Sequence, residues 1–184
     1  MEVLEKPVII TIHSIPPNPN EQFKKVVQSI AKKVDTIVVM NRFGRDILKK
    51  EYKIKTEIVV IPHGIPYTQL MPSDFDKKSL GYIDKLVISS FGMVNPGKGY
   101  EYVIESLPKV VKQFPNLLYL IVGETHPVIR KKEGEQYRNL LESKIKSLGL
   151  ENHVKFYNKY ITLKEIVKYL RATDIYISSS LDPG

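Results

Sequence analysis

The 184-residue sequence contains no cysteine and no tryptophan, and its longest apolar runs, residues 58–61 and 117–122, are short. Without cysteine there can be no disulfides, thiolate metal ligands or thiol nucleophiles. A membrane-spanning helix needs about 18 or more apolar residues in a row, so we expect none. The first residues are acidic and precede an apolar run too short for the core of a signal peptide. These absences predict a cytoplasmic protein.

Metal and hydrolase motifs are also missing. The four histidines, His13, His63, His126 and His153, lie far apart without i, i+4 spacing or a nearby aspartate cluster. They make poor metal ligands, and no metal site is predicted. Serines at 178–180 have no G-x-S-x-G motif around them, so a hydrolase triad has little support.

Positive charge is in excess but is not clustered. The chain has 28 Lys and Arg against 20 Asp and Glu, a net charge of +8. Residues 1–66 and residues 67–184 each carry a net charge of +4. Scattered lysine pairs are typical of solvated helix faces more than of a nucleic-acid patch. The diffuse field suits anionic ligands or an anionic membrane surface.

Short runs rich in Val and Ile alternate with stretches of helical period, which is typical of α/β proteins with parallel sheets and helices on both faces. The predicted strands cover residues 8–11, 36–40, 58–61, 86–91, 118–122, 154–157 and 175–178. The predicted helices cover residues 21–33, 42–51, 100–114, 135–148 and 163–172. The fold class is therefore Rossmann-like α/β.

The alternation lapses between Tyr67 and Lys85, a polar stretch broken by Pro72 and Gly81, and this is typical of a linker. We therefore predict two domains, residues 1–66 and residues 67–184. Apolar spacing in the first helix predicts one buried stripe, made of Phe23, Val26, Val27 and Ile30. Thr162 and Glu165 predict a capping box at the last helix.

A glycine-rich loop follows the strand at 86–91 and has the sequence FGMVNPGKG over residues 91–99. Glycines let backbone N–H groups approach a ligand, and the following helix N-terminus favours negative charge. Lys98 adds a full positive charge. The spacing matches neither G-x-G-x-x-G nor a Walker A loop. The loop is either a phosphate site or only a tight turn.

Three histidines follow predicted strands, where open α/β sheets place their ligand sites. His13 comes after the first strand, and His63 lies in a Pro-His-Gly turn. His126 follows the strand at 118–122, so it could reach a ligand cleft at the same edge. Each is either a ligand contact or a hydrogen-bonded structural residue. His153 precedes a strand and is expected to be structural.

Five blocks in this order and spacing resemble the family 4 retaining glycosyltransferases of group 1, which have the two-domain GT-B architecture. The blocks are TIVVMN at 36–41, IVVIPHGIP at 58–66, FGMVNPGKGYEYVIESLPKV at 91–110, LLYLIVGETHP at 117–127 and VKFYNKYITLKEIVKYLRATDIYISSS at 154–180. Similar enzymes transfer a sugar from a nucleotide-diphosphate donor with retention of configuration. The resemblance implies the end portion of an N-terminal, acceptor-side domain at 1–66 and a C-terminal, donor-binding domain at 67–184.

The resemblance also implies donor contacts in the glycine-rich loop. The family's Gly-Arg-x-x-x-x-Lys-Gly pattern falls on residues 92–99, so Lys98 would contact the diphosphate and Gly92 would allow close backbone approach. Met93 occupies the arginine position, which removes one of two expected cationic contacts. Lys98 with the helix N-terminus would stabilise the leaving group as a catalytic residue.

The remaining implied contacts are distributed along the chain. Gly123 and Glu124 would lie near the nucleotide, and residues 157–159 (Tyr157, Asn158 and Lys159) would frame the base. His13 would face the reacting sugar as a second catalytic residue. The family's Glu-x7-Glu segment would begin at residues 182–184 and continue past them, so we expect a fragment of a longer enzyme that lacks its last elements.

The implied partners are a nucleotide-sugar donor, which is a substrate, and a sugar or lipid-linked acceptor. No cofactor, metal or nucleic acid is expected, and the resemblance implies peripheral contact with the inner face of the membrane. Two alternatives stay open: a non-catalytic nucleotide-sugar binding module and an inactive truncated enzyme. A basic nucleic-acid-binding domain is disfavoured because no aromatic platform or recognition helix is present.

Overall fold

The computed structural model describes residues 6–69 and 71–181. Within these residues the chain divides into two compact units, the first ending at Tyr67 and the second beginning at Thr68. The roles expected for the two units, acceptor side and donor side, stay predictions.

The first unit is a three-stranded parallel sheet with two helices. Its elements are β1 (Ile9–Ile12), α1 (Glu21–Ala31), β2 (Thr36–Val39), α2 (Arg42–Lys50) and β3 (Glu57–Val60). The sheet order is β1-β2-β3. Ile37 and Val39 of the central strand are fully buried in a core with Leu48 and Tyr52. Within the described residues, both helices contribute to this one core, and on the opposite face Ile9 and Val59 are exposed.

The predicted buried stripe of α1 is wrong for three of its four residues. Phe23, Val26 and Ile30 are 42%, 51% and 45% exposed, whereas Val27 and Ala31 pack against the core. The side-chain amide of Gln28 donates a 2.8 Å hydrogen bond to the Tyr52 carbonyl. The side of α1 that packs against the core, with Val27 and Ala31, is therefore offset by one residue from the side with Val26 and Ile30. Gln28 can face the edge of the core because its hydrogen bond to the Tyr52 carbonyl offsets the cost of burying its amide.

The second unit is a four-stranded parallel sheet with five helices among the described residues. Its elements are α3 (Ser73–Leu80), β4 (Leu86–Phe91), α4 (Tyr100–Gln113), β5 (Leu117–Val122), α5 (Pro127–Glu133), α6 (Gln136–Ser147), β6 (Val154–Tyr157), α7 (Leu163–Arg171) and β7 (Ile175–Tyr176). The order is β6-β5-β4-β7, and all strand pairs are parallel.

Cores lie on both faces of this sheet. All six residues of β5 are buried, and they alternate between the two cores. One core includes Ile104 of α4 and Leu141 of α6, and the other includes Tyr169 of α7. Parallel sheets flanked by helices confirm the predicted Rossmann-like α/β class.

The predicted linker contains a helix, α3, that the sequence pattern missed. It ends at Gly81, whose φ is +76°. Its contacts to α7 and the segment after it are ionic: Lys77 Nζ lies 2.6 Å from Asp174 Oδ2, and Arg171 Nε lies 2.7 Å from Asp76 Oδ2. Because charged side chains make these contacts and Leu80 is the apolar residue of α3 that packs against a core, the helix has no apolar stripe that hydrophobic periodicity could reveal.

None of the helices in the described ranges combines the length and the apolar character that a membrane span requires.

Candidate functional site

The loops that follow β4, β5 and β6 meet at the carboxyl edge of the second sheet. The Gly92 amide donates to the Val122 carbonyl at 3.1 Å, and the Gly123 amide donates to the Tyr157 carbonyl at 3.1 Å. The strand ladder thus continues one residue past each strand before the loops diverge. In open parallel sheets this edge is where ligands bind.

Gly92 and Gly123 bring two of these loops into backbone contact. A Cβ on Gly123 would lie 2.1 Å from the Gly92 carbonyl oxygen, and Gly123 has a φ of +146°. Both the space and the conformation require glycine. Further along, the Val94 amide donates to the Glu124 carbonyl at 2.8 Å, and the His126 amide donates to the Val94 carbonyl at 3.1 Å. The two loops are therefore fixed to each other.

A cleft of about 280 Å³ opens between these loops and the β6–α7 loop; we call it the strand-end cleft. Five predicted donor-binding residues line it: Gly92, Met93, Gly123, Glu124 and Lys159. Five further lining residues were not predicted: Phe91, Val122, Tyr160, Ile161 and Ile166. The apolar members come from strand ends, from the β6–α7 loop and from α7, and Tyr160 is 76% exposed. The cleft combines an apolar wall with glycine backbone, the usual composition of a small-molecule site.

Lys98 lies beside this cleft and does not line it. The residue ends a 3₁₀ turn, Pro96–Lys98, and its side chain returns over Gly92. Its Cε and Nζ atoms lie 3.6 and 3.9 Å from where a Cβ on Gly92 would be. Lys98 instead borders a smaller pocket with Ser178, Ser179 and Ser180. Phe91 borders both spaces, so the ammonium lies next to the cleft.

The amides of the glycine-rich loop are largely used within the protein. Gly92, Val94, Lys98 and Gly99 all donate to backbone carbonyls, at distances of 2.8 to 3.2 Å. These four amides are therefore already hydrogen-bonded within the protein and are not free to contact a phosphate. At the start of α4, Gly99 has a φ of +63° and no side chain caps the helix. The charge of Lys98 and this helix terminus are the features of the loop that favour an anion.

The β6–α7 loop forms one wall. Lys159 Nζ lies 2.5 Å from Glu165 Oε1 and 4.9 Å from the centre of the Tyr157 ring. That ring packs on Tyr169 with the centroids 4.7 Å apart, so Tyr157 supports the wall from behind. A hydrogen bond from Tyr169, followed by the contact with Lys159, lowers the pKa of Tyr157. Of residues 157–159, only Lys159 borders the cleft.

Glu165 fixes the end of this wall. It forms the predicted capping box with Thr162 at the start of α7, which is confirmed. Its hydrogen bond with Lys159, together with those from the backbone and hydroxyl of Thr162, lowers the pKa of Glu165 to about 2. The carboxylate therefore connects the first turn of α7 to the cleft.

Two buried phenols support the site from below. The Tyr119 hydroxyl donates to Ser90 Oγ at 2.9 Å, and Ser90 Oγ donates to the Ile177 carbonyl at 2.7 Å. Burial raises the pKa of Tyr119 to about 12 and also raises the pKa of Tyr100, whose hydroxyl donates to the Gly92 carbonyl at 3.4 Å. Both phenols therefore stay neutral and act as hydrogen-bond donors below the loops.

Glu124 belongs to an ionic network at the cleft. Arg130 Nη1 lies 3.7 Å from Glu124 Oε2, and Arg130 Nε lies 2.7 Å from Glu135 Oε1. Glu135 also accepts a hydrogen bond from the buried Thr125 hydroxyl. The bond from Thr125 and then that from Arg130 lower the pKa of Glu135. Arg130 was not predicted, because α5 is only seven residues long and has no clear apolar period.

The histidines have different surroundings. His13 and His63 are exposed in the first unit, with ring centroids 5.5 Å apart. His126 does not line the strand-end cleft; its Nδ1 accepts a hydrogen bond from the Val128 amide and caps α5. His153 Nδ1 contacts the Leu117 carbonyl at 2.9 Å, a structural role. Among the described residues no three His, Asp or Glu side chains gather as metal ligands. Residues 182–184, where the acidic segment was expected to begin, lie outside the described residues.

Comparisons with known proteins point to one family. The family profile described as glycosyl transferases group 1 matches residues 73–182, which contain the whole strand-end cleft. Mannosylfructose-phosphate synthase of Agrobacterium fabrum is 27% identical over 168 residues, covering 86% of this chain and 36% of the synthase. An uncharacterised glycosyltransferase of Methanocaldococcus jannaschii is 26% identical over 181 residues, covering 91% of this chain and 41% of that protein.

Solved structures share the fold. HepE of Anabaena, solved in complex with UDP, is 22% identical with a TM-score of 0.77, covering 97% of this chain and 48% of that chain. The chain thus spans less than half the length of these relatives.

Proposed function

Because the chain belongs to the group 1 glycosyl transferases, we propose that it binds a nucleotide-diphosphate sugar in the strand-end cleft and takes part in transferring the sugar to an acceptor. One observation carries the proposal. The cleft opens at the carboxyl ends of β4 and β5, inside the matched region, with two glycines in backbone contact and an ammonium group beside them. Retention of anomeric configuration is part of the proposal and rests on the resemblance alone.

The shape of the cleft supports a division of the donor into two parts. The apolar wall of Phe91, Ile161 and Ile166 suits a base or ribose, whereas Lys98 lies on the Gly92 side and suits the diphosphate. UDP bound by HepE makes a uridine nucleotide the first to test.

The chemistry would be electrostatic. When the glycosidic bond to the diphosphate breaks, negative charge grows on the leaving oxygen, and a fixed cation there lowers the barrier. In this proposal, Lys98 and the uncapped start of α4 would supply that positive charge. His13, a residue of the first unit, stays a prediction as the group that faces the sugar.

Nucleotide binding and turnover test the proposal separately. We would titrate the chain calorimetrically with UDP, GDP and UDP-glucose, and follow the backbone amide NMR signals of Gly92 and Gly123. The proposal expects saturable binding with signal changes at those glycines. Binding that leaves both signals unchanged, or no binding of any nucleotide diphosphate, would contradict it.

Donor hydrolysis or transfer, with the anomeric configuration of the product read by NMR, tests the chemistry. Binding at the two glycines without turnover would support the alternative of a non-catalytic nucleotide-sugar binding module. Contact with a lipid-linked acceptor or a membrane face stays a prediction.

A further inference from the structure

The strand-end cleft contains a carboxylate where an anionic donor is proposed to bind. Glu124 lines the cleft, and its side chain is 28% exposed. A carboxylate near a diphosphate repels it, and the repulsion is stronger in a partly buried cleft than in water. An anion site therefore needs a cation that compensates Glu124.

Arg130 is held where it can compensate that charge. Its Nε is fixed at 2.7 Å by Glu135, and its Nη1 is turned toward Glu124 at 3.7 Å. Glu135 in turn accepts a hydrogen bond from Thr125, a residue that is 1% exposed and follows Glu124 in the chain. The guanidinium is thus oriented by a buried hydroxyl through a carboxylate.

Other guanidinium groups of the second unit are engaged elsewhere. Arg138 lies over the Phe156 ring and pairs with Glu142, although its charge also reaches Glu135. Arg171 pairs with Asp76. Met93 lines the cleft at the position where the resemblance implies an arginine. Among the arginines that the structure describes in the second unit, Arg130 is therefore the one that pairs with a residue lining the cleft, Glu124.

We propose that Arg130 is a positioning residue for anion binding, acting through Glu124. With Arg130 present, the Glu124–Arg130–Glu135 group has a net charge of −1; without it the charge is −2, and Glu124 is free to move toward the diphosphate. The inference rests on the proposed function, because it concerns the same cleft and the same anionic ligand.

A charge-removing variant tests the inference. Arg130→Met keeps an aliphatic stem of similar reach and removes the guanidinium. We expect it to weaken UDP binding about three- to tenfold at low salt and to change uridine binding less than about twofold, because only UDP carries the diphosphate. The loss should shrink at high salt. Adding Glu124→Gln to Arg130→Met should restore most of the UDP affinity.

Lys109→Ala is the matched control. Lys109 is an exposed cation of α4, and its removal lowers the net charge by the same amount. UDP affinity should stay within about twofold of wild type. An equal loss for Lys109→Ala would assign the effect to overall charge and overturn the inference.

The other outcomes are equally decisive. Unchanged UDP affinity in Arg130→Met, or an equal loss for UDP and uridine that Glu124→Gln does not relieve, overturns the inference and leaves the proposed function standing. If the wild-type chain binds no UDP or GDP, the proposed function itself fails and this inference fails with it. Thermal unfolding of each variant separates a folding defect from a binding defect, and Arg130→Lys with near-normal UDP binding would support the charge-based role.

Discussion

At the scale of single residues, the proposed anion binding depends on the position of one ammonium group, that of Lys98. Lys98 follows a proline and a glycine in a 3₁₀ turn, and its backbone carbonyl accepts a 2.8 Å hydrogen bond from Ser179 Oγ. The turn is therefore anchored from the segment after β7, while the side chain returns over Gly92. A lysine fixed at its backbone loses less freedom when its side chain contacts a ligand.

The first prediction concerns Lys98→Ala. Removing one preorganised donor from a developing oxyanion costs about 3 kcal/mol, or about a hundredfold in rate, so turnover with a nucleotide sugar should fall by that factor. UDP binding should also weaken. Steady-state kinetics and calorimetry measure the two effects. Lys109→Ala serves again as the control, and a Lys98→Ala variant that binds and turns over like wild type would contradict the site.

At the scale of elements, ionic contacts determine where α3 packs. Lys77 is buried, and its Nζ contacts both oxygens of Asp174 and the Lys85 carbonyl. Asp174 also accepts from the Val87 amide at 2.7 Å. One ion pair thus joins α3, the start of β4 and the turn before β7.

The second prediction is that Lys77→Ala strongly destabilises the second unit. The change leaves the Asp174 carboxylate without its cation, and breaking a buried pair costs about 3–5 kcal/mol. Because Asp174 is partly exposed and keeps its amide partner, we expect the lower end of this range. Urea unfolding measures the change. Lys78→Ala, the exposed neighbour, should alter the free energy of unfolding by less than about 0.5 kcal/mol.

The third prediction concerns pH and the capping box of α7. The pKa of Glu165 is lowered to about 2, so its contribution to stability is complete above the ordinary carboxyl value and is lost as the pH falls toward 2. Wild type should be more stable than Glu165→Gln at pH 6, and this difference should disappear near pH 2. Unfolding curves at several pH values measure it. A difference that does not depend on pH would contradict the ionic role, and Glu151→Gln, at an exposed glutamate, is the control.

The same elements show what could be predicted from sequence. Strand β5 was found because a fully buried parallel strand is a continuous apolar run, and β4 and β6 were found from shorter apolar stretches. Their ends then located Gly92, Gly123 and the cleft. Helices α3 and α5 were missed because charged contacts and short length leave no apolar period. Arg130 was missed with α5, because its ion pairs depend on distances that the chain order does not display.

At the scale of the whole molecule, the two units differ in how completely their sheets are covered. In the second unit, cores lie on both sides of a four-stranded sheet. In the first, within residues 6–67, both helices pack into one core on one face of three strands. Parallel sheets are stable when both faces are buried. We therefore expect the two units to differ in their ability to fold when each is expressed by itself.

The fourth prediction is that residues 68–184 fold alone and residues 1–67 do not. The second unit has a closed core of buried side chains from six of its elements, whereas the first leaves Ile9 62% exposed, Phe43 69% exposed and Val26 51% exposed. A domain of about 60 residues buries only about 60% of its chain surface and has little stability to spare.

Circular dichroism and amide NMR dispersion of each fragment measure folding, and UDP titration of residues 68–184 measures ligand binding in the cleft. We expect a cooperative thermal transition and UDP affinity within about threefold of the full chain for residues 68–184, since every lining residue of the strand-end cleft lies in that fragment. A cooperatively folded first fragment, or an unfolded second fragment, would contradict the prediction.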